Sequence, residues 1–545
     1  MHGKRPTMFS LSGVVAAAHP LAAQAGAKLL AGGGNAFDAA AATAAALNVV
    51  EPYMSGLAGL GYATCYVASE RRVRVLDFVP PVPAELPVER FKQRNDLQRG
   101  ALSVGTPGNL AGWAELVRTH GRKPLKDALE PAIALAHDGY ALAEFGVAEF
   151  NEQIPLLRMQ SPNYGGFYDD WARNYTDGVA SVALGRIVRQ PDLGRTLEAL
   201  ASHGPRYLYG GALGEKIVAH LSKLGGCLTL GDLVAVKPQW KEPLTATYRG
   251  LTVNSVPPPS EAFQFLLTLC VLEGIELARL ERNGADHLDT VWRAIRLAAG
   301  ERIANNFPTA PTLTHLLSEA HAAKLKARVL DGRPLEGPTE QWLAPPNEAH
   351  LPYAPGGRME HHTTSFSIAD REGNVICVTQ SLGSPFGSGV LVPGTGLVLN
   401  NFLYWADTNP ASPNRTKPGG ALPVCMAPSV SLRQGKPVLA LGTPGSYGIL
   451  QTQVQAMVQY LDFGLPLQQA IEEPRARLWD GRVVEPESRL TPAVLEALGQ
   501  RGHKIQVGSA WTMRVGGMQA VAIDPATGLM TGACDPRRDG YVATA

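Results

Sequence analysis

The chain gathers side chains able to act as nucleophiles between His361 and Gly389, in HHTTSFSIADREGNVICVTQSLGSPFGSG. This stretch reads as a β-hairpin with the turn Arg371-Glu372-Gly373. Counting outward from Glu372, Asp370 faces Asn374, Ser367 faces Cys377, Ser365 faces Thr379 and Thr363 faces Ser381. Strand side chains alternate with period two. One face therefore carries Thr363, Ser365, Ser367, Cys377, Thr379 and Ser381, small and mostly hydroxylic. The other carries Phe366, Ile368, Ile376 and Val378, a core face. A loop one residue longer would shift this pairing, and an exposed Ser/Thr ladder is the alternative reading of the same composition. If the face is functional, its chemistry is that of a hydroxyl nucleophile, which is weak at neutral pH and needs an adjacent base.

The elements that must hold this hairpin follow from periodicity. Asn35–Val50 is an Ala-rich helix behind the Gly32–Gly34 breaker, with Asn35 at its N-cap. Pro124–Asp138 and Thr290–Asn305 have helical spacing. Val73–Phe78, Thr364–Asp370, Val375–Ser381, Gly396–Asn400 and Val438–Leu441 read as strands. Helices and strands alternate without a strict βαβ period, which suggests sandwiched layers. No Pro/Gly/Ser-rich linker divides the 545 residues.

Composition narrows the function. The formal charge is +1 and Lys/Arg form no run, so neither nucleic acid nor an anionic membrane is expected as partner. No apolar stretch reaches the roughly 18 residues of a membrane span. The apolar run near the N-terminus is broken by His19 and Pro20, and no signal peptide is read there. Six scattered cysteines (Cys65, Cys227, Cys270, Cys377, Cys425, Cys534) lack CxxC spacing and suit free thiols in a reducing cytoplasm. The histidines show no HExxH pattern, so neither a metal nor another cofactor is implied.

Six motifs in order resemble the γ-glutamyltransferase family of N-terminal-nucleophile (Ntn) hydrolases. They are HPLAAQAGAKLLAGGGNAFDAAAATAAALNVVEPYMSGLAGLG, LSVGTPGNLAGWAELVRTHGRKPL, VPPPSEAFQFLL, TTSFSIADREGNVICVTQSL, ALGTPGSYGILQT and GACDPRRDGYVATA. The resemblance implies an α+β, four-layer αββα Ntn-hydrolase sandwich and a precursor that cuts itself between His362 and Thr363. Residues 1–362 would then form the large chain and 363–545 the small chain of one αββα unit, a heterodimer with room to pair again. The freed α-amine of Thr363, with an ordinary pKa of about 7.7–8, would serve as the base. Ser381 matches the family's second threonine, which hydrogen-bonds the nucleophile. Gly442-Thr443-Pro444-Gly445-Ser446 matches the glycine turn whose amides stabilise the tetrahedral intermediate, here the N–H groups of Gly445 and Ser446.

Departures from the family concentrate where the γ-glutamyl group is gripped. The arginine of its DFR motif is Val79, and the paired serines before Met-Pro are Val424 and Cys425. Its glutamine and aspartate beyond Asn400 and Asn401 give way to Phe402 and Trp405, and an asparagine near the second hydroxyl is Gly383. The segment from Trp405 to Val424 is also shorter than the family's lid-bearing segment. Polar clamps have become apolar walls. Asp407 could stand in for the lost aspartate. Arg475 and Arg477 are expected to pair with Glu472 or Glu473, and Arg537 and Arg538 to hold the fold. The expected protein is an autoprocessed amidohydrolase or acylase acting on a small amide whose acyl part is apolar rather than γ-glutamyl. A true γ-glutamyltransferase, an oxamate-amidohydrolase-like or C–C bond hydrolase, and a non-catalytic relative are the alternatives.

Overall fold

In the computed structural model, which describes residues 5–91, 94–158, 168–335, 362–410, 412, 415–479 and 481–545, two seven-stranded sheets lie face to face. The first runs in the order Tyr541–Thr544, Gly13–Ala17, His362–Asp370, Val375–Gly383, Leu60–Val67, Arg72–Asp77, Gln239–Lys241. The second runs Met8–Ser10, Met530–Cys534, Gln519–Ile523, Lys436–Gly442, Ser429–Arg433, Leu251–Ser255, Leu244–Tyr248. Neighbours within both sheets are antiparallel. Helices Pro20–Ala31, Ala36–Val50 and Asn109–His120 pack on the outer face of the first sheet. Phe263–Leu272, Ile449–Leu461 and Leu467–Glu472 cover the second. This is the four-layer αββα sandwich the resemblance implies. Each sheet takes strands from both sides of the His362–Thr363 bond.

The hairpin register agrees with the count from Glu372: Ser365 pairs with Thr379 and Ser367 with Cys377. Its apolar face, Phe366, Ile368, Ile376 and Val378, joins the core beneath the first helical layer. The hydroxylic face turns toward the second sheet and is buried, not a solvent ladder. Ser367 Oγ donates to Gln519 O at 2.9 Å, across the gap between sheets. Ser365 Oγ donates to Val378 O at 2.8 Å. A Cβ on Gly442 would overlap Ser365 Oγ and Cys377 Sγ, so the sheets approach too closely here for larger groups. Small polar side chains at Ser365, Ser367 and Cys377 thus answer a packing need.

One helix fixes both ends of the strand His362–Asp370. Ala36–Val50 is buried on every side, and Asn35 caps it with a reciprocal bond from Asp38. At its start, Ala36 N donates to Asp370 Oδ2 (2.9 Å), and Asp370 also closes the hairpin turn by accepting from Glu372 N and Asn374 N. At its end, the C-cap residue Glu51 accepts from Thr364 Oγ1 at 2.8 Å. Fifteen helical residues span about 22 Å at ~1.5 Å per residue, close to the roughly 20 Å of the strand from Thr364 to Asp370 at ~3.4 Å per residue. The lengths match, so the helix acts as a gauge for the hairpin.

Candidate active site

At the head of the hairpin the ladder is irregular. His362 pairs with Gly383 and Thr364 with Gln380, so Thr363 alone stands opposite Ser381 and Leu382. Such a bulge re-aims a side chain locally. Thr363 Oγ1 donates to Ser381 Oγ at 3.2 Å, and Ser381 Oγ also accepts from Gly383 N at 2.8 Å. Both hydroxyl residues are buried, Thr363 at 5% and Ser381 at 1% exposure. The expected facing of the two residues is therefore met as a side-chain contact. His361 lies outside the described residues, and of His362 only the backbone is described.

Two residues that the sequence reading did not assign to the site flank Thr363. Arg538 Nη1 donates to Thr363 O at 2.9 Å, and its guanidinium lies over the Phe145 ring at 5.1 Å. Glu51 holds the neighbouring Thr364 hydroxyl. Burial pushes the Glu51 carboxyl up to about 7, against the opposing pull of Arg538 and the Thr364 hydroxyl. Burial likewise lowers the Arg538 pKa from its ordinary value, against the attraction of Glu51, Glu149 and Asp535. In sequence Arg538 was grouped with Arg537 as a fold-holding residue. Arg537 has that role, paired with Glu487 and Asp535 in a fully buried cluster. Arg538 instead meets Thr363.

The glycine turn follows the strand Lys436–Gly442 and leads through the 3₁₀ turn Ser446–Gly448 into helix Ile449–Leu461. Gly445 has φ 121°, where a side chain would be strained, and Ser446 has φ 52°. Arg477 Nη1 donates to Gly445 O at 2.5 Å and its guanidinium stacks 4.7 Å from the Trp479 ring. Fixing that carbonyl fixes the peptide plane that carries the Ser446 N–H. Among the described residues, no hydrogen bond from the Gly445 or Ser446 N–H to another residue is found. Free N–H groups at the N-terminal opening of a helix form the positive end of its dipole and suit a developing anion. Arg477 was expected to pair with Glu472 or Glu473; it braces the glycine turn. Arg475 was expected to do the same, and its partner is Asp535 at 2.5 Å.

The residues that the resemblance sets in place of a polar clamp fall into two groups and an outlier. A Cβ on Gly383 (φ 102°) would overlap Asn401 Oδ1 and touch the Trp405 ring, and the Phe402 and Trp405 rings lie 5.3 Å apart. An asparagine at position 383 is incompatible with this arrangement. Val424 and Cys425 form the second group: Val424 O accepts from Glu261 N, and burial pushes the Cys425 thiol up to about 12. Phe402, Trp405, Val424 and Cys425 share one buried apolar cluster, against which Val79 packs. Val79 is the outlier, lining a cleft of about 290 Å³ with Pro80, Pro81 and Leu422 and also with the charged Asp77, Lys237 and Lys241. Asp407 accepts from Asn409 N and Ser412 Oγ within its own loop.

An αββα stack with a threonine heading a central strand is the architecture of the Ntn hydrolases. A family model described as Gamma-glutamyltranspeptidase matches residues 22–545, and the chain belongs to that family. It is 33% identical to the "Acylase ACY 1 proenzyme" of Pseudomonas sp. (strain SE83), over 98% of this chain and 94% of that protein. It is 28% identical to the "Glutathione hydrolase proenzyme" of Bacillus subtilis (strain 168), over 97% of this chain and 90% of that protein. The crystal structure of cephalosporin acylase from Bacillus halodurans superposes with a TM-score of 0.88 at 29% identity, covering 100% of this chain and 97% of that one. The protein is thus an enzyme of a family of amide-bond hydrolases. Among the described residues no helix is long and apolar enough to cross a membrane.

Proposed function

We propose that the protein is made as a precursor, cuts itself between His362 and Thr363, and hydrolyses an amide whose acyl group is apolar rather than γ-glutamyl. The observation that carries this reading is the buried Thr363–Ser381 hydroxyl contact at the strand head. In the precursor, Thr363 Oγ1 attacks the His362 carbonyl carbon. The C–N bond breaks as an ester forms, and the hydroxyl proton passes to the departing Thr363 nitrogen. Water then hydrolyses the ester, giving chains 1–362 and 363–545. Because each sheet takes strands from both, the two chains stay together as one unit.

In turnover the Thr363 α-amine takes the Oγ1 proton while Oγ1 attacks the substrate's acyl carbon. The Gly445 and Ser446 N–H groups receive the oxyanion. The leaving amine departs with the proton, and water hydrolyses the acyl-threonine. Ser381 Oγ aligns the nucleophile. Gly383, Phe402, Trp405, Val424 and Cys425, with Val79 beyond, form the apolar acyl side. The likeness to acylases along the whole chain accords with a non-glutamyl acyl group. The experiment is a panel of acyl p-nitroanilides offered to the purified enzyme. Faster hydrolysis of apolar acyl groups than of γ-glutamyl supports the reading, and the reverse order restores a γ-glutamyltransferase.

A further inference from the structure

The strand that carries Thr363 is secured on one side only near its head. Its ladder with Gly13–Ala17 stops at Ser367, and the bulge replaces regular pairing with Val375–Gly383 at Thr363 itself. Cleavage before Thr363 would remove the covalent hold on its N-terminal side, because His362, which pairs with Gly383, goes with the other chain. A new chain terminus frays unless it is tied down. Two buried charged groups stand at this place, Arg538 on the Thr363 carbonyl and Glu51 on the Thr364 hydroxyl.

We propose that Arg538 and Glu51 are positioning residues that clamp the new N-terminus, Arg538 through the Thr363 carbonyl and Glu51 through the Thr364 side chain. The proposal rests on Thr363 being the nucleophile. Each anchor is itself fixed from elsewhere in the fold. Glu51 is the C-cap of the helix that gauges the hairpin. Arg538 is wedged beside Gly517, where a Cβ would overlap its side chain, and rests against Phe145 and Met54 Sδ. Thr364 keeps its ladder partner Gln380, and Thr363 and Thr364 are in addition held from two other elements of the sandwich.

The Arg538 charge has a second effect. A guanidinium bonded to a residue's carbonyl lies close to that residue's nitrogen, and a like charge disfavours the ammonium form. Arg538 therefore biases the α-amine toward the neutral form that can take the Thr363 proton. The charged and titratable groups facing Arg538 are Glu51 at the helix end, Glu149 on the helix Glu144–Arg158, Asp535 and Tyr53. Asp539 faces Glu51 and accepts from the Phe145 and Gly146 N–H groups. Glu51, with its carboxyl near 7, is the member whose charge changes in the working range.

Arg538→Met and Arg538→Lys separate the two effects. For the full-length protein, self-cleavage is followed by denaturing gel. For the processed enzyme, kcat, KM and the acid limb of the pH–rate profile are read with the best acyl p-nitroanilide. Arg538→Met should lower kcat ten- to hundredfold with KM within about threefold, at ~1.4 kcal/mol per factor of ten. Its acid limb should move to higher pH, because the amine loses its neighbouring cation. Arg538→Lys keeps the charge but not the forked geometry, so kcat should fall with the limb in place. A purely structural role would not move the limb. Should Arg538→Met fail to fold, the Lys variant decides: lowered kcat supports the clamp, wild-type kcat overturns it. If Arg538→Met folds with a normal melt but stays uncut, the clamp is supported, since both steps use the same hydroxyl. Wild-type kcat and limb in Arg538→Met overturn the clamp while leaving Thr363 as nucleophile. An uncut, inactive wild-type protein overturns the nucleophile reading and the clamp together.

Discussion

The hydroxyls of Thr363 and Ser381 stand 3.2 Å apart across a bulge that sets one residue of the first strand against two of the second. Ser381 Oγ is held in turn by the Gly383 N–H. Ser381→Ala removes a buried aligning contact worth about 1–3 kcal/mol. At ~1.4 kcal/mol per factor of ten, kcat should fall roughly ten- to hundredfold. Self-cleavage should slow as well. Rates of both steps equal to wild type would mean that the contact does not align the nucleophile.

The proposed acyl side predicts substrate choice. On the proposed reading a γ-glutamyl group would bring an ammonium and a carboxylate against Phe402, Trp405 and Val424, and desolvating unpartnered charges costs several kcal/mol each. A net penalty of about 3–5 kcal/mol corresponds to two to four orders of magnitude in kcat/KM. An apolar acyl group instead gains about 25 cal/mol per Å² of apolar area buried. Steady-state kinetics with γ-glutamyl-p-nitroanilide and an apolar acyl anilide of similar length should separate them by that margin. Equal kcat/KM would contradict the apolar acyl side.

Much of this was legible in the sequence because it depends on short-range rules. The turn at Arg371-Glu372-Gly373 fixes the hairpin register, and Asn35 with Asp38 three residues on announces the helix start. The helix expected at Thr290–Asn305 is longer at its start, Ala285–Ala304. Gly396–Asn400 shrinks to the two-residue strand Leu397–Val398 because its partner is only Leu391–Val392. Elements apolar on every side gave no period to read: Leu60–Val67 and Phe263–Leu272 are buried throughout or nearly so. The roles of Glu51, Arg477 and Arg538 were out of reach for a different reason. Each acts on a residue far away in the chain, and only the folded sandwich brings Arg538 to Thr363. In the motif DPRRDG the two adjacent arginines have different partners, Arg537 with Glu487 and Arg538 with the Thr363 carbonyl.

The gap between the sheets can be tested at Gly442. Its Cα faces Ser365 Oγ and Cys377 Sγ too closely for a methyl group, so Gly442→Ala overpacks a rigid interior. Such changes cost about 1–3 kcal/mol, measurable as a lowered midpoint in urea unfolding. Unchanged stability would mean that the hydroxylic face is not confined as described.

Glu51 predicts a pH dependence of stability. Its carboxyl sits at about 7 when folded, against an ordinary value of 4.5. Between these values the folded protein holds a proton that the unfolded chain has released. The group's contribution is therefore most favourable below about 4.5 and declines as pH rises through about 7. Glu51→Gln carries no charge and escapes that decline. In the uncleaved Thr363→Ala background, the unfolding free energy of Glu51→Gln relative to its parent should rise between pH 4.5 and 7.5. The change is on the order of 3 kcal/mol at ~1.4 kcal/mol per pKa unit. A difference that stays constant across this window would contradict the burial of an ionisable carboxyl there.

Intact mass of the purified full-length protein after prolonged incubation shows whether Thr363 becomes a chain terminus by its own chemistry, as proposed. Two associated species, residues 1–362 and 363–545, the second beginning at Thr363, are predicted, with Thr363→Ala remaining whole. A single full-length species from the unaltered sequence, or a break at another bond, would contradict the account.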